Sequence, residues 1–223
     1  MNADKQRTIF ILSSMGVAVA ALVMAAFLFP GNTSAQVWGY GFSAIYILYA
    51  IIFKDALLGR FLLFVVFAGF TELIADAWGV GKNTLFYPHN QPMLWDSPMY
   101  MPFSWVVVLM QLGFIGFLIS NKLKMIYTVL IVILFGMGMV PLYEFMAIKA
   151  TWWHYENVCT LWITRVPFYV IIAEGLLAGA LPVLFRKCQT SVLWQIPLFG
   201  IVQGILILVC AMLGYYISAP FCH

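Results

Sequence analysis

The stretch Phe61-Leu62-Leu63-Phe64-Val65-Val66-Phe67-Ala68-Gly69-Phe70-Thr71-Glu72-Leu73-Ile74-Ala75-Asp76-Ala77-Trp78 decides the fold of the 223-residue chain. It begins as an unbroken apolar run, Phe61 to Phe70, and then carries two carboxylic acids on what reads as the end of a membrane-spanning helix. Four residues apart, Glu72 and Asp76 share one helix face. Acids at membrane depth are expensive and usually turn into a bundle or a wet cavity, where they pair or do chemistry. A second stretch echoes the first: Pro141-Leu142-Tyr143-Glu144, followed by Trp152-Trp153-His154-Tyr155-Glu156. The two stretches are expected to form one site.

The rest of the chain fits that reading. It is 64% hydrophobic and 9% charged, where a soluble domain would be roughly a quarter charged. Seven apolar segments, 8–29, 37–54, 57–80, 102–121, 124–147, 164–185 and 193–217, each approach the roughly 20 residues that a span needs. The expectation is one all-α domain, 1–223, a multi-pass bundle of seven transmembrane helices in the lipid bilayer. Thr33-Ser34-Ala35 resembles a signal cleavage site, but the apolar run before it, Ile9 to Phe29, exceeds the about 7–15 residues of a signal core.

Basic residues set the orientation. With the N-terminus inside, inner ends carry Lys5, Arg7, Lys54, Arg60, Lys122, Lys124, Arg186 and Lys187, and outer loops carry Lys82, Lys149 and Arg165. This eight-to-three bias places the C-terminus outside. The membrane would be the cytoplasmic membrane of a bacterium or the endoplasmic reticulum of a eukaryote; the sequon Asn32-Thr33-Ser34 matters only in the latter. No basic cluster beyond Arg186-Lys187 exists to hold nucleic acid. Cys159, Cys188, Cys210 and Cys222 form no CxxC pair. They read as thiols packed like small hydrophobes, with a Cys159–Cys222 disulfide on the outer face as the alternative.

That topology gathers Glu72, Asp76, Asp96, Glu144 and Glu156 into one outer layer and leaves Glu174 near mid-span. Two long connections, 79–101 and 150–166, frame the mouth. A parallel internal repeat would relate Glu72, its loop and Met101-Pro102-Phe103 to Glu144, its loop and Val166-Pro167-Phe168.

Two carboxyls one turn apart in low dielectric do not both ionise cheaply. Glu72, the deeper, suits the proton-bearing acid and Asp76 the carboxylate. Such a pair serves acid catalysis, proton transfer or metal binding, or is merely solvated at the interface. Glu144 follows Pro141, which frees the Met137 carbonyl and bends the helix. The catalytic candidates are therefore Glu72, Asp76 and Glu144. Trp78, Tyr87, Trp95, Asp96, Trp105, Tyr143, Trp153, His154 and Glu174 are candidates to bind substrate. Glu174 reads equally as a buried donor to Gln111, Gln203 or a tyrosine. The seventh span has no lysine for a retinal Schiff base, no phosphate-binding loop is present, and no HxxxH or HExxH pattern marks a metal site. No cofactor and no metal are expected.

The short chain with seven spans and intramembrane acids resembles the membrane-integral isoprenoid cyclases, both the fungal meroterpenoid cyclases and the membrane lycopene cyclases. Pro141-Leu142-Tyr143-Glu144 resembles the Pro-Leu-Glu-type helix segment of the carotenoid enzymes, and Glu72 with its aromatic loop resembles their second acidic helix. Tyr143 before Glu144, and no second acid after it, depart from that pattern. The resemblance implies cofactor-free acid catalysis on a hydrophobic small molecule, a polyene or epoxide, with carboxylic acids giving and taking protons. The alternatives are a proton-coupled carrier working through Glu72, Asp76 and Glu174, or a non-catalytic subunit or lipid-binding partner in a homo- or hetero-oligomer.

Overall fold

The computed structural model describes residues 2–221. Seven helices run back and forth: α1 (Ala3–Phe27), α2 (Asn32–Ile52), α3 (Ala56–Gly81), α4 (Met101–Ser120), α5 (Met125–Lys149), α6 (Phe168–Thr190) and α7 (Gln195–Ser218). Each is long and apolar enough to cross a membrane, and the chain is an all-α, multi-pass membrane bundle. α4 and α6 have the largest buried share. α3 packs against α4 and α7, α6 against α5 and α7, and α1 and α2 close the side of α4 and α5.

Helix ends follow local chemistry. Asn2 caps α1 by accepting from the Asp4 N–H, and Asp55 caps α3 by accepting from Leu58 N–H at 3.0 Å, so both spans begin before their apolar runs. α6 begins at Phe168, later than its apolar run suggested, because Pro167 is its N-cap and pairs as an extended bridge with Thr160. α5 stays helical through Pro141. Where helices approach most closely the contact residue is glycine: a Cβ on Gly69 of α3 would collide with the Pro102 carbonyl of α4.

At the end with short turns, arginines tie neighbouring helices. Arg7 is buried between Asp55 (2.7 Å) and Asp4 (2.9 Å). Arg60 donates to the Cys188 and Ser191 carbonyls, and Arg186 to Ser120. Part of the basic bias at this end thus holds helices together.

The opposite end carries the two long connections. Strands β1 (Leu85–Phe86) and β4 (His154–Tyr155), one from each, pair antiparallel with Leu85 opposite Tyr155. Strands β2 (Met93–Leu94) and β3 (Ser97–Pro98) form a hairpin turning at Trp95 and Asp96, with Trp95 at φ 55°. α3 and α5 end through the same bonds: Thr84 N–H to Gly79 C=O and Trp152 N–H to Ala147 C=O, both 3.0 Å, each after a non-glycine residue at positive φ, Asn83 (55°) and Thr151 (60°). Such wrapped ends satisfy orphan carbonyls. α2 ends in the same way, Asp55 N–H to Ala50 C=O at 3.0 Å after Lys54 at φ 49°, so this is a general helix stop; counted back from it, Asp76, not Glu72, stands where Glu144 does.

Cys159 is disulfide-bonded, which corrects the expectation of unpaired thiols; Cys222 lies outside the described residues. Cys188 and Cys210 are free and buried.

Candidate functional site

One cavity lies inside the bundle toward the long-loop end. Its non-atom space, opening included, is about 960 Å³. Glu72 and Asp76 from α3, Glu144 from α5 and Glu174 from α6 all line it. These acids come from three helices and are brought together because the loops leaving α3 and α5 pair through β1 and β4 and α6 packs beside α5.

The four acids are not equivalent. Asp76 Oδ2 accepts from Tyr87 Oη and from Ser97 Oγ, both at 2.8 Å. Glu144 Oε2 accepts from Trp153 Nε1 at 2.9 Å and from Tyr155 Oη at 2.8 Å. In both cases the phenol lies eleven residues beyond its acid, so each helix receives a donor from the loop that it feeds. Glu72 is 1% exposed; Asp76 and the Trp105 indole approach it, yet its Oε2 has no partner. Glu174, 6% exposed, likewise has an unpartnered Oε2. Gln111 and Gln203, expected near Glu174, bond elsewhere, to Tyr46 and to the Leu177 carbonyl.

Outside the spans, burial and the adjoining Asp76 hold the Tyr87 phenol well above the ordinary tyrosine range. Burial and Glu144 do the same for Tyr155. Both remain O–H donors at neutral pH.

Trp78, Tyr87, Trp105, Tyr143 and Trp153 line the cavity as expected. Three other expected residues do not. Trp95 and Asp96 form the tip of the β2–β3 hairpin and are exposed, whereas Ser97 just after them is fully buried and reaches Asp76. His154 is exposed; it stacks on Phe86 and pairs with Glu156 at 3.3 Å. Successive strand residues face opposite ways. His154 therefore points out because Trp153 and Tyr155 both point in to Glu144. Tyr155, Ser97, Trp38 and Tyr169 are site residues that the sequence reading passed over as binding candidates. Alternation along Trp153-His154-Tyr155 was the signal for Tyr155; Ser97 had none.

Among the described residues no three histidine, cysteine, aspartate or glutamate side chains converge closely enough to hold a metal ion. The arrangement sets carboxyl groups with unlike hydrogen-bond partners side by side in an aromatic-walled chamber.

A family model described as Domain of unknown function (DUF6989) matches residues 73–218, from α3 to the end of α7. No curated protein and no solved structure matches the chain.

Proposed function

The chain belongs to the DUF6989 domain family, and we propose that it is a membrane-embedded enzyme acting on a lipid or isoprenoid by acid–base chemistry, as a terpene or carotenoid cyclase or isomerase does. The observation that carries this reading is the pairing of unlike acids on one helix turn: Glu72 with an unpartnered oxygen, Asp76 with two donors. Donors stabilise a carboxylate, and burial with an oxygen left unpartnered favours the neutral acid. Glu72 gives its proton to an alkene or epoxide of the bound substrate. The cationic state is stabilised by the faces of Trp105, Trp153 and Tyr143, each such contact contributing up to about 2 kcal/mol when desolvated. Asp76 removes a proton from a neighbouring carbon and returns it to Glu72, which restores both groups. For an alkene this adds and removes one proton, so no redox partner is required.

The eight-to-three basic bias and the disulfide at Cys159 both support a long-loop end that faces the outer or luminal side, since disulfides persist in oxidising compartments. Trp162, 97% exposed in the second long loop, gives the test. Trp162→Cys should react with an impermeant thiol reagent from outside, and Lys122→Cys only once the inner face is opened; the reverse pattern overturns this orientation.

The catalytic reading is tested with Glu72→Gln, assayed on the lipid or isoprenoid that co-extracts with the purified protein. At matched amounts of folded protein, turnover should fall by the roughly 10²–10⁴-fold typical of a lost general acid. Near-normal turnover would show that Glu72 is a buried hydrogen-bonding group that glutamine replaces.

A further inference from the structure

The cavity wall is rich in acceptors and ring faces and poor in free donors. Among the described residues no lysine, arginine or histidine lines it. Tyr87 and Tyr155 spend their hydroxyl protons on Asp76 and Glu144. Tyr143 donates away from the cavity to Gln111 Oε1 at 2.7 Å, and that amide donates onward to Tyr46 at 3.2 Å. The indole N–H groups of Trp38 and Trp152 leave the wall for the Ala18 carbonyl (3.1 Å) and Ser34 Oγ (2.9 Å). What these side chains present inward is ring face and edge.

Four acids complete that wall, and Glu72 Oε2 and Glu174 Oε2, buried on residues 1% and 6% exposed, have no partner. Asp76 and Glu144 are near enough to act on each other electrostatically. An anion meets no cationic side chain there. A metal ion lacks a converged ligand set among the described residues. An organic cation is matched twice over, by carboxylates and by aromatic faces. Val140, Leu177 and Ile207 in the same wall suit an apolar tail.

From this complementarity we infer that the cavity binds amphiphilic amines, a protonated tertiary amine or quaternary ammonium head on one apolar tail, with the head held by Asp76 and Glu144. The inference rests on the same acidic cavity as the proposed enzyme and gives its ligand class: an ammonium occupies the position in which that reaction would hold its cationic state. It does not depend on turnover.

The experiment uses the full chain in maltoside micelles. Decyltrimethylammonium and the uncharged decyldimethylamine oxide are titrated while tryptophan fluorescence is read, with a micelle-bound tryptophan ester as blank. The ammonium should bind saturably and about tenfold or more tighter than the amine oxide. Asp76→Asn and Glu144→Gln should each erase most of that preference, and Tyr155→Phe should weaken it. Equal binding of the two amphiphiles by the wild-type protein overturns the inference, whether or not the variants fold. So does a preference that survives in the folded Asp76→Asn, Glu144→Gln double variant. Turnover lost in Glu72→Gln with no preference for the ammonium would remove the amine site and leave the enzyme. A preference that persists while Glu72→Gln turns over normally would establish the amine site and remove the acid catalyst.

Discussion

Asp76 and Glu144 on one side, and Glu72 and Glu174 on the other, are the same kind of side chain in the same cavity with opposite surroundings. The first two stand close to where α3 and α5 give way to loops, and each receives two donors, at least one of them from that loop. The second two lie deeper along their helices, and each keeps an oxygen with no partner. The difference follows from backbone chemistry. A membrane helix spends its N–H and C=O groups on itself, so donors for an acid come from side chains. A chain that has left the helix can fold hydroxyl and indole groups back onto it. Deeper in the bundle, apolar helix walls offer ring edges and closed backbones. Donors from the loops thus favour the carboxylate form, and helix walls without them favour the neutral acid.

The largest expected effect breaks the pair from its charged side. Asp76→Asn keeps an acceptor for Tyr87 and Ser97 but removes the base. Turnover should drop about 10²–10⁴-fold with little change in melting temperature. Unimpaired turnover would mean that the contrast between Glu72 and Asp76 has no part in catalysis.

Removing the loop donors sharpens the same contrast. Tyr87→Phe and Tyr155→Phe each take one donor from a carboxylate, a change of about 1.5–3 kcal/mol for a bond to a charged group. Thermal unfolding of the purified protein should register it. Tyr155→Phe should cost much less in a Glu144→Gln background, since the two groups are in contact. Full additivity would indicate that the phenol acts through packing alone. Gly69→Ala tests the helix wall: its Cβ meets the Pro102 carbonyl, so α3 and α4 must separate, at about 1–3 kcal/mol of stability. A variant as stable as wild type would show that this approach is loose.

The smallest effects belong to residues that aromatic and ionisable character made attractive but the fold turns outward. His154→Ala, Trp95→Ala and Asp96→Asn should stay within about 0.5 kcal/mol of wild-type stability with turnover unchanged. A large loss at His154 would mean that its contact with Phe86 and Glu156 supports β4 and, through it, Tyr155.

Seven spans and an acidic layer were legible because apolar runs and buried charges leave strong marks in a sequence. The convergence of Glu72, Asp76 and Glu144 was legible from topology, since alternating spans put their ends on one level. The loop residues were harder to read. Ser97 and Tyr155 reach the site through a hairpin turn and strand alternation in pieces only two residues long, too short for any pattern to show. Glu72 and Glu144 match in chemical type, whereas the eleven-residue step to a donating tyrosine sets Asp76 beside Glu144 in role. The bonded state of Cys159 left no trace in cysteine spacing.

The most direct test of the division between acids is infrared difference spectroscopy of the purified protein at neutral pH, wild type against single variants. Protonated carboxyls and carboxylates absorb in separate bands. Glu72→Gln should delete intensity from the protonated carboxyl C=O band and leave the carboxylate bands unchanged, while Asp76→Asn should delete carboxylate intensity. Loss of carboxylate intensity in Glu72→Gln, or of the protonated band in Asp76→Asn, would contradict the assignment of acid and base.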